Sequence, residues 1–332
     1  MTTVLDSPTA PHRPDRPRPT GRYDGVWRRG RIIALLAVSV AVVMLGHSVL
    51  PDRPGHLASL VQTFLPWTGL AVPLLLVCAV IRRSATAAVA VLVPAIAWCA
   101  LFGGRWVDKR AAGGDLTVVT HNVNEHNPHP ARTARALADS GAALVALEEL
   151  GDNTPVYERA LASAYPYQEV RGTVGLWSRY PLADVRTVDI APWPRALRAT
   201  VRTPEGPIAV YVAHLASVRL SATTGFGTDA RNAAARRLAA AMDAEPLPRT
   251  LLLGDLNGTT DDDALSVLTS RLRSAQDAAG AGFGLSWPAS FPLARIDHIL
   301  VRGVEPRSAW TLPATSSDHL PVAASLDLGT GP

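Results

Sequence analysis

Repeatedly over its last two-thirds, this chain runs a short stretch of apolar β-formers into a carboxylate, an amide or an imidazole. ALVALEEL reaches Glu149, VYVAHLAS reaches His214, TLLLGDLNGT reaches Asp255, ARIDHIL holds Asp297 and TSSDHLPV holds Asp318. A strand that is apolar throughout is buried on both faces, and one that stops abruptly at a polar side chain delivers it to one edge of an α/β sheet. The pattern points to a metal-dependent enzyme.

The first third sets a different constraint. Residues 32–50, 57–81 and 85–102 are almost uninterrupted apolar sequence, each close to the ~20 residues that cross a bilayer core. Three transmembrane helices are expected. A cleaved signal peptide would need a short apolar region ending at a small-residue site, whereas His47 to Pro51 offers none and two more apolar segments follow. Arg13, Arg16, Arg18, Arg22, Arg28, Arg29 and Arg31 precede the first segment, Arg82 and Arg83 lie between the second and third, and the intervening loop carries Arg53 beside Asp52. The positive-inside rule then puts the N-terminus in the cytoplasm and, after an odd number of crossings, the rest of the chain outside. Arg105, Lys109 and Arg110 weigh against this orientation. The expected plan is a disordered cytoplasmic tail over 1–30, a membrane anchor over 31–103, a linker over 104–115 and an extracytoplasmic catalytic domain over 116–328.

The formal net charge of +4 hides an uneven distribution. Residues 1–110 carry 13 Lys/Arg and 5 Asp/Glu, net +8, and residues 111–332 carry 19 and 23, net −4. A net-negative domain without a basic stripe is poorly suited to nucleic acid, which demands several phosphate neutralisations at once. A small anionic substrate met through a metal ion fits it better. Cys78 and Cys99 both fall in the apolar segments, so the globular part has no disulfide framework, thiolate-zinc site or cysteine nucleophile. The sequence sets no oligomeric state.

From Leu116 the pattern is globular. Strands are expected over 116–123, 142–147, 173–178, 183–190, 197–202, 208–213, 250–253, 295–301 and 322–326, and helices over 130–140, 154–164 and 229–243, the last capped by Asp229. Another helix should begin near the acids Asp261 to Asp263. This order suggests two sheets packed face to face with helices outside.

Alternation sends Asp255 and Asn257 to the same side after Gly254 turns the backbone. Together they can orient a water and a phosphoryl oxygen, although Asp-Leu-Asn-Gly also makes an ordinary turn. Glu149, at a strand end, is a natural oxygen ligand for Mg²⁺, or a solvated loop acid; alternation points Glu148 elsewhere. Asp297 can fix the tautomer of His319, leaving Asp318 for a metal. His214 and Asn122 stand at strand ends, with Asn124 and Asn127 as competitors of Asn122 and with His121, His126 and His129 around it.

Taken in order, HNV, LEEL, AHL, GDLN, IDHIL and SDHLPV resemble the endonuclease/exonuclease/phosphatase superfamily over residues 116–326. The resemblance implies a four-layer αββα sandwich and hydrolysis of a phosphate ester or anhydride with Mg²⁺ or Mn²⁺. It places Glu149 as chief metal ligand beside Asn122, His214 on the phosphate, Asp255 with Asn257 at the attacking water, Asp297 and His319 as the paired Asp-His, and Asp318 as a metal-side carboxylate. Glu148 departs from the Gln that the family usually has there. The apolar segments in front resemble the membrane-anchored teicoplanin-resistance proteins of the VanJ type, which implies a lipid-linked phosphate substrate in cell-wall synthesis. Trp287, Pro288 and Phe291 could form an apolar lip. A surface nuclease or sphingomyelinase-like phosphodiesterase, and an inactive scaffold that binds lipid headgroups, are the alternative readings.

Overall fold

The computed structural model describes residues 29–52, 55–221 and 225–329, so most of the tail expected over 1–30 lies outside the described residues. Apolar helices come first: α1 (Arg31–Leu45), α2 (Leu57–Thr63), α3 (Ala71–Ile81) and α4 (Ala85–Phe102). They differ from three straight spans. Among the described residues only α4, continued to Arg105, is long and apolar enough to cross a membrane by itself. The second segment is a helix pair bent by 69°, broken at a 3-10 turn over Leu65–Leu70 that contains Pro66, which has no N–H to continue a helical ladder. The first segment yields 15 residues before Gly46, about 22 Å of helix against a core of ~30 Å.

Ser84 Oγ donates to the Arg29 carbonyl, so the start of α1 and the α3–α4 turn meet at one end, and Arg29, Arg31, Arg82 and Arg83 gather there. The other end docks on the globular part. Phe226 N donates to Gly55 O (2.9 Å), Gln62 Nε2 to Asp263 Oδ2 (2.6 Å) and Trp67 Nε1 to Leu293 O (2.7 Å). Residues 104–115 are pinned rather than loose, with Lys109 N donating to Gly280 O, Ala111 N to Arg307 O and Asp115 N to Leu326 O.

The globular part follows as β1 (Leu116–Asn122), α5 (Pro130–Asp139), β2 (Leu144–Glu148), α6 (Thr154–Leu161), β3 (Tyr167–Arg171), β4 (Val174–Ser178), β5 (Leu182–Thr187), β6 (Ala196–Thr203) and β7 (Gly206–Ala213). A short hairpin, β8 (Arg219–Ser221) with β9 (Gly225–Gly227), leads to α7 (Asp229–Asp243) and β10 (Thr250–Asp255). The chain ends in α8 (Ser266–Thr269), β11 (Arg273–Ser274), α9 (Ala275–Ala279), β12 (Asp297–Arg302), β13 (Glu305–Thr311) and β14 (Val322–Asp327). Thr228, not Asp229, is the N-cap of α7, and no side-chain cap bond is made there. The expected helix after residue 260 shrinks to a 3-10 turn over Asp263–Leu265 and the single turn α8, with Asp262 accepting from Ala264 N (3.0 Å).

Two six-stranded sheets result, ordered β13-β14-β1-β2-β4-β3 and β11-β12-β10-β7-β6-β5. Val118, Ala146, Val210 and Leu253 from both sheets fill the core between them; Val119 and Val145 face α5 and α6, and Tyr211 and Leu252 face α7. The layers are therefore αββα. Each sheet has one central parallel pair, β1 with β2 and β10 with β7. The C-terminal ends of these four strands carry Asn122, Glu148, His214 and Asp255 to one edge of the sandwich.

One glycine makes that edge possible. Gly254 has φ +146°, and a Cβ there would lie 1.9 Å from the Ala213 carbonyl oxygen, backbone that cannot yield without moving β7. Gly254→Ala is expected to destabilise the fold by on the order of 3 kcal/mol, read as a lower denaturant midpoint at constant m-value.

Candidate active site

The edge residues converge from different strands on Asp255, which is 1% exposed. Asn122 Nδ2 donates to its Oδ2 (3.0 Å), and Asn257 donates twice, from its backbone N to Oδ1 (2.8 Å) and from Nδ2 to Oδ2 (3.2 Å). Asn257 can do both because it adopts φ 48°, and its Nδ2 also reaches Leu215 O (3.0 Å). Asp255 Oδ1 thus keeps a lone pair. Burial, aided by the neighbouring Asp297 charge, pushes the Asp255 carboxyl up to about 7 although His319, Asn122 and Asn257 pull it down.

Asp297 pairs with Asp255 across β12 and β10, and His319 Nδ1 lies 2.9 Å from its Oδ2 and 3.1 Å from its Oδ1. Burial opposes the His319 charge, but Asp297 prevails and raises this imidazole to about 10, so it is a cation whose Nε2 lies 3.9 Å from Asp255 Oδ2. His214 is the opposite. Burial, then the positive Arg195 and His319, hold it well below the ordinary histidine range, and it is neutral. Two imidazoles at one site thus take different charge states because the hydrogen-bonded Asp297 outweighs burial at His319, whereas burial and Arg195 prevail at His214.

Arg195 was not singled out by its sequence context. Its Nη2 lies 2.7 Å from His214 Nδ1 and 2.6 Å from Nε2, and 3.3 Å from Leu215 O. A neutral imidazole can accept at only one of its two nitrogens. Arg195 lies within the field of Glu149 and Asp255 and is a second positive charge of the cleft beside His319. The only hint in the sequence is an Arg directly before a strand that pairs with the His214 strand.

Glu149, half-buried with φ 56°, places Oε1 3.4 Å from His214 Nε2. Glu148 turns the other way and is fully buried, accepting from Thr120 Oγ1 (2.8 Å). Desolvation raises its carboxyl well above the usual range. Its environment thus favours the neutral form, which has the shape of Gln. Asp318 is exposed and accepts from Asn124 Nδ2 (2.9 Å). His121 and His298 are buried, bonded to Thr315 Oγ1 (3.0 Å) and Gly258 O (2.8 Å), and burial drives them down to about 3 and about 4. Asn127 bonds Val123 O, Thr133 and Tyr157 and serves its own loop.

The donor set fits a hard divalent cation, being carboxylate, amide and imidazole with no thiolate. Asp255, Asp297 and His319 offer donor atoms within 4.8 Å of one another. With His319 protonated, that group is already compensated internally. Glu149 is the partly exposed carboxylate, and Asn122 Oδ1, which accepts from Asn124 N (3.0 Å), retains a second lone pair.

The model of the endonuclease/exonuclease/phosphatase family matches residues 119–319, more than half of the chain and the whole stretch that builds this edge. The chain belongs to this family. It is accordingly a hydrolase of that superfamily, whose members are phosphoesterases that generally use divalent metal ions. Similar solved structures include an endonuclease/exonuclease/phosphatase from Bacteroides vulgatus, 18% identical over 65% of this chain and 100% of that one, with a TM-score of 0.54. A humanised D. rerio TDP2 gives 18% identity over 64% and 98% with a TM-score of 0.54. A Bacteroides thetaiotaomicron mannosyl-6-phosphatase gives 16% over 64% and 99% with a TM-score of 0.51. At these identities the likeness speaks for the fold. No match was found among curated protein sequences.

Proposed function

We propose that this family member is a membrane-anchored, multi-pass, extracytoplasmic phosphohydrolase acting on a lipid-linked phosphate or pyrophosphate, with undecaprenyl pyrophosphate of the cell-wall cycle as the first candidate and glycopeptide resistance as the biological role. One observation carries the lipid part: the apolar helices are docked on the catalytic edge itself. Trp67 Nε1 bonds Leu293 O (2.7 Å), and in the same loop Ala289 N bonds the carbonyl of Asp318 (2.7 Å). The gathering of Arg29, Arg31, Arg82 and Arg83 at the far end supports a cytoplasmic face there and an outward catalytic domain.

A bound Mg²⁺ or Mn²⁺, held by Glu149 with Asn122 and Asp318 nearby, would neutralise charge building on the phosphoryl oxygens. Asp255 Oδ1 takes the proton of the attacking water, and Asn122 and Asn257 fix the carboxylate in register for that transfer. His319, a cation locked by Asp297, donates from Nε2 to the developing charge, and Arg195 with His214 holds a phosphoryl oxygen. Arg195→Ala is expected to lower kcat/KM by about 10–100-fold, the loss of one charge-assisted hydrogen bond. It should also raise the His214 pKa in an NMR titration, because a positive neighbour disappears.

The reading is tested by hydrolysis of undecaprenyl pyrophosphate, sphingomyelin and DNA, in parallel, with the full-length protein, read as inorganic phosphate, phosphocholine and strand cleavage respectively. Release from the first supports it, and DNA cleavage would make the protein a surface nuclease. Headgroup binding with no turnover would make it a scaffold. EDTA should reduce turnover to background, and added Mg²⁺ or Mn²⁺ should restore it.

A further inference from the structure

Between the broken helix pair and α4 lies a cavity of about 460 Å³, walled by Trp67, Leu70, Ala95, Trp98, Phe283 and Leu285. That volume falls in the range of roughly 300–1,000 Å³ of small-molecule sites. We infer that this cavity seats the hydrocarbon chain of the substrate whose phosphate is cleaved at Asp255. The inference rests on the lipid-phosphate reading above and extends it to the part of the substrate that does not react.

The chemistry of the walls selects the occupant. Two of the three indoles that line it turn their N–H groups to backbone carbonyls, Trp98 Nε1 to Pro66 O (2.8 Å) and Trp67 Nε1 to Leu293 O (2.7 Å), which leaves the N–H of Trp106 as the one indole donor not so engaged. The rest of the lining is apolar. A hydrated headgroup entering would surrender its water without compensation, whereas an apolar cavity takes hydrocarbon readily.

Continuity with the catalytic pair selects the substrate over a bystander lipid. Leu285 is followed directly by Ser286, whose Oγ accepts the backbone N–H groups of Ile296 and Asp297, each at 3.2 Å. Leu320 N, next to His319, donates to Ser286 O (2.8 Å). One strand of backbone therefore forms the cavity wall and then holds both members of the Asp297–His319 pair. A chain lodged against Phe283 and Leu285 would enter beside the residues that act on its phosphate. Arg105, stacked 5.1 Å from Phe102 and 5.6 Å from Phe283 and paired with Asp261 at 2.6 Å, fixes the end of α4 to this wall. The cavity is thus shared between membrane helix and catalytic domain.

Cys99 also lines the cavity and gives a readout that needs no turnover. In full-length protein carrying Cys78→Ala, alkylation of Cys99 by N-ethylmaleimide should slow at least five-fold with farnesyl pyrophosphate. Inorganic pyrophosphate, which lacks the chain, should leave the rate unchanged, and farnesol, which has the chain without the charge that the catalytic edge would hold, should protect only weakly. Equal labelling with and without farnesyl pyrophosphate, or equal protection by farnesol, would overturn the inference. In a second arm, Ala95→Phe narrows the cavity and should raise KM for farnesyl pyrophosphate about ten-fold with little change in kcat. A loss confined to kcat would mean a general structural role and would also overturn it. If no substrate is hydrolysed, the functional reading falls, while the labelling arm still decides the cavity.

Discussion

Asp255→Asn is expected to lower kcat/KM for phosphate release by on the order of 10²–10⁴, the usual contribution of a positioned general base, while leaving the folded protein as stable as before or more so. The proposed base sits where its ionised form is disfavoured. Burial and the Asp297 charge lift it to about 7, far above the ordinary aspartate value near 4. The rate should therefore climb as pH rises toward about 7, following the fraction of Asp255 that is deprotonated, and this limb should be missing from the variant. Stability runs the other way. A carboxyl whose folded pKa is raised contributes least once pH passes that value, because folding then has to bury a charge. Melts taken in EDTA at pH 5 and pH 8 should show the variant gaining more at pH 8. A large loss of stability in the variant at pH 8 would mean that Asp255 is a structural hub and would withdraw its role as base.

Much of this edge is readable from residue order, for a physical reason. β2, β7 and β10 are buried on both faces and nearly all apolar, so a polar side chain closing such a run marks the sheet edge. Glu148-Glu149, His214 and Asp255 stand at such closings, whereas Asn122 follows Thr120 and His121 within β1 and is less plainly marked. Other features depend on contacts that no local pattern encodes. Arg195 acts through a strand neighbour 19 residues away, and as one arginine among many it carries no mark. Glu148 looks like an added charge, yet the sandwich interior desolvates it and raises its carboxyl well above the usual range against the pull of the Thr120 hydrogen bond. β13 is obscured by Pro306 and alternating charge, as suits the outer strand of its sheet. Hydropathy found the apolar segments but could not see that Pro66 breaks the second, nor that the broken turn is a docking surface. Fully apolar runs reveal composition, while helix breaks and polar docking contacts reveal which side faces the domain.

That docking leads to the second large effect. Asp262→Ala should lower stability by about 3–5 kcal/mol, the cost of stranding one partner of a buried ion pair, or on the order of 10 °C in Tm for a domain of this size. Arg231 and Asp262 have fully buried side chains and meet at 2.6 Å. Ser59 of α2 covers the pair, donating to Asp262 Oδ1 at 3.2 Å, and Arg231 Nη1 donates to Asn257 O at 3.2 Å. Helix α2 therefore closes over a charge pair that also braces the loop of Asn257. The double change Arg231→Met with Asp262→Leu should recover most of the loss, since removing both charges leaves no desolvated ion behind. Asp243→Ala, which breaks the exposed Arg271–Asp243 pair, should hardly move Tm, because water already solvates both groups. Raising salt to about 1 M separates the two cases further, as screening acts on exposed charges and barely reaches buried ones. If Asp262→Ala melts like Asp243→Ala, the pair is reached by water, and α2 does not seal the domain as its contacts require.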